Sequence, residues 1–201
     1  PSYNRGSFLE RALSSINAQN VASTEVIIVD DGSDDDTKEI CHQLSEKFSN
    51  IQYVYQDNQG AGAARATGLK FARGSYVAFF DSDDYWVNHH IQSQLEVLRA
   101  CQEIDAVYSN ACRIELGTER VISEDVFNNG GKQREFLSLK NRLGPKGVRI
   151  IDDDNVALLH IRSGLYAVFQ TSLFGKSFVD KIKIPPNRVG EDRFFFLSYL
   201  L

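Results

Sequence analysis

The chain has 201 residues, an apolar fraction of 42% and a formal net charge of −5, a length that holds one large domain with a real core and a composition that excludes disorder. No apolar run reaches the roughly 18 residues of a membrane span. Lys and Arg are scattered, so the acidic balance argues against a nucleic-acid binder that works by phosphate neutralisation.

Pro1-Ser2-Tyr3-Asn4 reads as a turn into a helix, for which Ser7 and Glu10 offer a capping box and Phe8, Leu9, Ala12, Leu13 and Ile16 an apolar face. Residues 25–30, Glu25-Val26-Ile27-Ile28-Val29-Asp30, are a compact β-branched strand. It ends in Asp30-Asp31-Gly32-Ser33, with Ser33 placed to cap a helix carrying Ile40, Cys41, Leu44 and Phe48. A further strand covers 51–55. Ala64, Gly68 and Ala72 then recur at helical spacing, predicting a helix that lies close against a sheet, with Gly74 as its C-cap. Gly60-Ala61-Gly62 is only a partial phosphate-loop signal: Arg65 replaces the third glycine and no acid follows at the required distance, so the glycines read as packing residues. Arg65 itself is a cation on the first turn of this helix, within reach of an anionic ligand.

Residues 76–80, Tyr76-Val77-Ala78-Phe79-Phe80, form a continuous apolar run that reads as a strand buried on both faces. The run delivers Asp81, Asp83 and Asp84 to its C-terminal end, where open α/β sheets bind ligands. Carboxylates clustered this tightly repel, so a divalent cation or shared protons must relieve them; taken alone, the same tip is readable as a solvated Asp-rich turn. Asp84 and Trp86 are expected to shape the entry to the next helix, which begins at His89-His90 and carries Ile91, Leu95, Leu98 and Cys101 on one face. A short strand follows at 105–109.

The second half is less regular. Residues 115–133 are polar, with Asn128-Asn129-Gly130-Gly131 as a loop. Asp152-Asp153-Asp154 read as a solvated helix start, since no apolar strand is predicted to deliver them. Residues 165–170 are strand-like, Pro185-Pro186 breaks the chain, and Gly190-Glu191-Asp192-Arg193 opens an aromatic helix whose first acids suit its dipole. There is no internal repeat. Cys41, Cys101 and Cys112 are widely spaced, the first two on apolar helix faces, and neither they nor His42, His89, His90 and His160 have metal-ligand spacing. A reducing, cytosolic setting fits them.

Alternating strands and helices predict an α/β fold: a mostly parallel, Rossmann-like nucleotide-binding sheet with helices on both faces over residues 1–110, followed by a more irregular half over 111–201 of the same domain. If strands 25–30 and 76–80 are near neighbours, their C-terminal ends and Glu191-Asp192 form one acidic crevice. Bare, it would repel phosphates; with a divalent cation it becomes a site for a diphosphate.

The chain resembles the family 2 glycosyltransferases with the GT-A fold. The resemblance is carried by Pro1-Ser2-Tyr3-Asn4, by Glu25 to Ser33 with Asp36-Thr37, by Gly60 to Gly68, by Gly74-Ser75-Tyr76 through Asp81-Ser82-Asp83-Asp84, and by Glu191-Asp192. It implies that Pro1, Tyr3, Asp31, Arg65 and Asp81 bind the nucleotide of a nucleotide-sugar, typically a UDP-sugar: Pro1 and Tyr3 would line the base, Asp31 would read its ring and Asp81 would lie near the ribose and diphosphate. Asp83 would hold Mn2+ or Mg2+, and Glu191 and Asp192 would form the catalytic pair, with Asp192 as general base in an inverting transfer to a hydroxyl of a glycan or lipid-linked acceptor. A cytoplasmic location, peripheral at the inner face of the membrane, and a role in polysaccharide synthesis are implied in the same way. Three departures stand out. The hydrophobic strand that precedes the Pro-x-Tyr-Asn segment in family members is absent, Thr67 stands where Asn is usual, and the region beyond Asp192 is cut short; the chain reads as a fragment.

Three rivals use the same acids. A haloacid-dehalogenase-type phosphatase would take Asp81 as nucleophile and Asp83 as acid/base, but expects Thr or Val where Tyr85 stands. A phosphoacceptor receiver domain would use Asp30, Asp31 and Asp81, but needs a Lys closing a later apolar strand, and Lys132 lies in a polar stretch. A non-catalytic nucleotide-sugar-binding module would keep the donor residues and has no use for Glu191-Asp192.

Overall fold

The computed structural model describes residues 1–126, 138–153, 169–182 and 184. In chain order these form α1 (Gly6–Asn17), β1 (Val26–Asp30), α2 (Thr37–Lys47), β2 (Ile51–Tyr55), α3 (Ala61–Phe71), β3 (Tyr76–Ala78), α4 (His90–Ala100), β4 (Ala106–Tyr108), β5 (Arg113–Ile114), β6 (Val121–Ser123), β7 (Asn141–Leu143), β8 (Arg149–Ile151), β9 (Ser172–Gly175) and a short α5 (Lys176–Val179).

The first layer follows directly from apolar patterning. β1 pairs in parallel with β2, from Val26↔Ile51 to Asp30↔Tyr55, and α2 makes the crossover between them. Leu9 and Leu13 of α1, Ile28 of β1 and Cys41 and Leu44 of α2 close into one buried cluster. On its other edge β1 takes a single parallel bridge: Ser2 N–H donates to Val29 O and Ser2 O accepts from Asp31 N–H, each at 2.8 Å. α3 lies against β1 through its small-residue side, with Gly62, Ala64 and Arg65 buried.

The second sheet is built differently from the sequence expectation. β3 and β4 do not pair with each other; β9 lies between them, antiparallel to both, with Tyr76↔Gly175 and Ala106↔Phe174 in register. The α/β layering is as read from the sequence, but parallel pairing among the described residues is confined to β1, β2 and the Ser2 bridge. β9 supplies two cores at once. Phe174 faces Phe79, Val77 and Phe178, while Leu173 faces Leu95, Leu98 and Val107.

Several local expectations are corrected. Ser7 and Glu10 lie inside α1 and make no cap; the entrance is instead satisfied from afar, Arg5 N–H donating to Thr37 Oγ1 at 3.3 Å and Gly6 N–H to Asp35 Oδ2 at 3.5 Å. Ser33 does not cap α2, which starts four residues later; its Oγ accepts from Asn4 N–H at 2.9 Å. α3 ends on an extended Ala72 rather than on Gly74, whose N–H donates to Glu25 Oε1 at 2.8 Å. The strand at 76–80 stops at Ala78. Within 115–133, β5 and β6 make a bulged hairpin. Asp152 and Asp153 follow β8, and Asp154 with the residues over which the expected helix would run lies outside the described residues. Of the strand-like 165–170, residues 165–168 lie outside them too; Phe169–Thr171 is a 3-10 turn, and the strand proper is β9. Asn128 to Gly131, Pro185-Pro186 and the aromatic helix after Gly190 also lie outside the described residues. Cys41 and Cys101 are buried as expected.

Phe174 is 1% exposed and meets Phe79 at 6.0 Å and Phe178 at 6.1 Å between ring centroids. Phe174→Ala should cost about 3–5 kcal/mol in chemical denaturation; a loss under 1 kcal/mol would show that β9 is not the centre of this sheet.

Candidate active site

Two acidic clusters sit at strand ends and are treated in opposite ways. At the end of β1, Asp30 and Asp31 are 1% and 3% exposed. Asp30 accepts from Ser33 N–H at 2.9 Å and from the Tyr53 hydroxyl at 2.7 Å; together with burial, that carboxylate pushes the Tyr53 phenol above its ordinary range. Asp31 accepts from Gln56 Nε2 at 2.7 Å, from Gln59 N–H at 2.9 Å and from Gly60 N–H at 2.7 Å. Its carboxylate thus holds the turn that enters α3. Gly32, directly after Asp31, has φ +82°, and a Cβ there would meet Asn58 N at 2.8 Å, so the close approach of the two loops admits only glycine. Asn4, itself at φ 51°, zips the chain start onto this loop: its amide donates to Asp34 Oδ1 at 2.7 Å and its Oδ1 accepts from Asp34 N–H at 3.0 Å.

Beyond β3, Asp81 is held on both oxygens. Arg65 Nη2 donates to Oδ1 at 2.5 Å, and Gln170 Nε2 donates to Oδ2. Arg65 is 5% exposed, its guanidinium 4.9 Å from the Phe169 ring centroid. Arg65, expected to reach an anionic ligand, pairs instead with Asp81 inside the protein. The Pro1 nitrogen lies within electrostatic reach of Asp81, Arg65 and Asp31, next to the Ser2 bridge onto Asp30, and Tyr3 is 48% exposed.

Asp83 and Asp84 are the open end of the cluster. The Asp83 side chain is half exposed, 3.6 Å from Arg5 Nε, and its backbone O accepts from Arg11 Nη2 at 3.2 Å. Asp84 is exposed, yet its carboxyl is pushed up to about 6, first by desolvation and then by Asp81 and Asp83, against Arg11. Trp86 marks the way into α4, as expected: its N–H donates to Ser15 Oγ at 3.1 Å and its ring stacks on His90. Among the described residues no three His, Cys, Asp or Glu side chains are set to hold a metal. Glu191 and Asp192, the expected catalytic pair, lie outside the described residues.

Arg5, Arg11 and Gln170 were not singled out from the sequence. Arg5 had a signal, being next to Asn4 in the first matched segment. Gln170 had none, since it reaches Asp81 from 89 residues away.

A cavity of about 760 Å³ adjoins this open end, walled by α1, residues 83–90 and the β5–β6 hairpin. Among the described residues no helix is long and apolar enough to cross a membrane.

Comparison with known proteins identifies the fold and the family. An uncharacterized glycosyltransferase of Rickettsia conorii is 39% identical over 198 residues, 98% of this chain and 29% of that protein. The putative teichuronic acid biosynthesis glycosyltransferase TuaG of Bacillus subtilis is 41% identical over 104 residues, 50% of this chain and 41% of that protein. This chain spans less than half the length of either relative. Among solved structures, S. aureus TarS 1-349 in complex with UDP superposes with a TM-score of 0.68 at 21% identity, over 99% of this chain and 53% of that one. The mannosyltransferase PcManGT from Pyrobaculum calidifontis, in complex with GDP-Man and Mn2+, gives 0.62 at 18% identity, over 96% and 48%. At these identities the likeness establishes the GT-A fold. The model of glycosyl transferase family 2 matches residues 1–159, and the chain belongs to that family.

Proposed function

We propose that the protein is an inverting, metal-dependent glycosyltransferase that moves a sugar from a UDP-sugar to an acceptor hydroxyl in the synthesis of a glycan or glycoconjugate. The observation that carries this reading is the convergence of Pro1, Asp31, Arg65 and Asp81 at the strand ends, with Asp83 and Asp84 open beside them. In α/β sheets such a crevice takes the nucleotide. Pro1 and Tyr3 would flank the base. Asp31 would reach it only through the Gln56 to Gly60 turn it organises, since its oxygens already serve three donors. Asp81, fixed by Arg65 and Gln170, would face the ribose and diphosphate. The half over 1–110 would thus bind the donor and that over 111–201 the acceptor. The phosphatase alternative is not favoured: an Asp81 nucleophile would have to leave two hydrogen bonds, and the relatives compared above are glycosyltransferases.

The residues fit a divalent cation. Asp83 offers an exposed carboxylate whose counter-ion is a half-exposed Arg5, a weak competitor. Desolvation first, then the Asp81 and Asp83 carboxylates, raises Asp84, and Mn2+ or Mg2+ would be the hard cation that Asp83 and a diphosphate share. When bound, the metal supplies stabilisation of charge on the departing diphosphate. Asp192, with Glu191 beside it, would take the proton of the acceptor hydroxyl as its oxygen attacks the anomeric carbon. One C–O bond forms as the bond to diphosphate breaks on the opposite face, which inverts the anomeric configuration. Peripheral placement at the inner membrane face would bring such an enzyme to a lipid-linked acceptor.

Calorimetry with UDP should give heat only when Mn2+ or Mg2+ is present, and Asp83→Ala should abolish it; equally tight binding without metal would sink the metal role. Asp192→Asn should lower turnover by about 10²–10⁴-fold while leaving UDP affinity unchanged, and unchanged turnover would remove it as the base. In the metal-free protein, Asp84→Asn should raise the melting temperature above pH 6, where the Asp84 carboxyl is charged in the fold. Because the folded value of about 6 lies above the ordinary carboxylate value, the gain should shrink as pH falls below 6 and vanish beneath the ordinary carboxylate range. A gain independent of pH would show that charge is not its cause.

A further inference from the structure

The loop that carries Asp83 is held at both ends by one residue from far along the chain. At its start Gln170 Nε2 donates to Asp81 Oδ2; at its end the Gln170 carbonyl accepts from Trp86 Nε1–H at 2.9 Å. Between these points the loop is tied through its main chain. Asp84 N–H closes back on Asp81 O at 3.0 Å, Arg11 Nη2 donates to Asp83 O at 3.2 Å, and Trp86 N–H donates to Ser15 Oγ at 3.1 Å. The Asp83 carboxylate itself meets a half-exposed Arg5 guanidinium at 3.6 Å, a pair too open to fix it. Where that carboxylate stands is therefore inherited from the backbone around it.

Gln170 is well placed to impose that backbone, because its own turn is anchored on both sides. Phe169 is 1% exposed, with its ring 4.6 Å from that of Phe79 and 4.9 Å from the Arg65 guanidinium. Thr171 O accepts from Ser109 N–H at 2.9 Å and from Nε2 of the buried Gln94 at 2.7 Å. The turn Phe169–Thr171 is thus a fixed strut beside the loop.

We propose that Gln170 is a positioning residue that sets the loop from Asp81 to Trp86, and with it the Asp83 carboxylate, for the metal and diphosphate of the donor. This rests on the donor reading above. Arg65 neutralises Asp81 through Oδ1, but a carboxylate held on one oxygen can still turn about its last torsion. A second donor on Oδ2 fixes its plane. A cation in that place would orient Asp81 equally well and would also weaken the negative field at Asp83; a neutral amide orients without that loss. The Gln170 carbonyl is present whatever the side chain, so removing the amide frees the Asp81 end while Trp86 stays anchored. The loop then hinges about Trp86, and the apparent affinity for the donor falls with the fraction of molecules that keep the competent geometry.

The test uses the whole protein with Gln170→Ala and Gln170→Glu in mildly alkaline buffer. Hydrogen exchange, followed by mass spectrometry without ligand, should rise about tenfold in the peptide spanning 81–86 and stay at wild-type rates in peptides of β1 and α2. Calorimetry should show UDP binding in the presence of Mn2+ weakened about tenfold, the equivalent of one lost hydrogen bond to a charged group. The isosteric Glu separates polarity from shape. Filling space alone would let Gln170→Glu pass and only Gln170→Ala fail, whereas a required donor makes Glu fail at least as far as Ala, its carboxylate facing Asp81 with like charge. A Gln170→Glu protein that matches the wild type overturns the proposal. So does unchanged exchange at 81–86 in both variants, or raised exchange there with undiminished UDP affinity. A wild type that binds no UDP with Mn2+ removes the donor reading, and the exchange pattern of the ligand-free protein then decides whether Gln170 sets the loop.

Discussion

Burying two adjacent carboxylates at the end of β1 is the constraint on which the rest of the site depends. Asp30 and Asp31 are almost wholly desolvated, and an ionised carboxylate out of water costs several kcal/mol unless its lone pairs are met. The donors that meet them come from three places: Ser33 in the following loop, Tyr53 on the neighbouring strand, and Gln56, Gln59 and Gly60 ahead of α3. Satisfying Asp31 therefore sets where α3 begins. That in turn sets where Arg65 stands, and Arg65 meets Asp81 on another strand. One Asp-Asp pair positions both walls of the crevice.

The two acidic clusters differ in how far the protein satisfies them. Asp30, Asp31 and Asp81 have their oxygens occupied by protein donors, so they act as fixed struts. Asp83 and Asp84 do not: one has a half-exposed guanidinium 3.6 Å away and the other a raised affinity for protons. Unfinished electrostatics beside finished electrostatics are what support the proposal that an external cation binds there.

Much of this was legible in the sequence, for reasons tied to particular residues. β1 and β2 announce themselves because β-branched runs are bounded by Asp, Asn and Gly, and the approach of α3 to β1 is written in its small residues. The acids of the crevice could be named because each closes an apolar run. What escaped is non-local. The cap of α1 is supplied by Asp35 and Thr37, about thirty positions downstream, which no capping pattern reveals. The β5–β6 hairpin hides in a polar stretch because both strands are short and largely solvent-facing. β9 carries no alternating signal: Ser172, Leu173 and Phe174 are buried together between two neighbours.

The position of β9 also dictates an order of events. β1, α2 and β2 close through contacts some 25 residues apart and can form early. β3 and β4 wait for a strand that arrives nearly a hundred residues after Tyr76, and pairings of that separation are slow to close. On the ribosome the segment from Tyr76 to Tyr108 therefore emerges with its strand edges open until Ser172 to Gly175 follow, a window in which chaperones or edge-to-edge association compete with folding. The family match ends at residue 159, short of that strand, so the matched stretch depends on a strand beyond it to join β3 and β4.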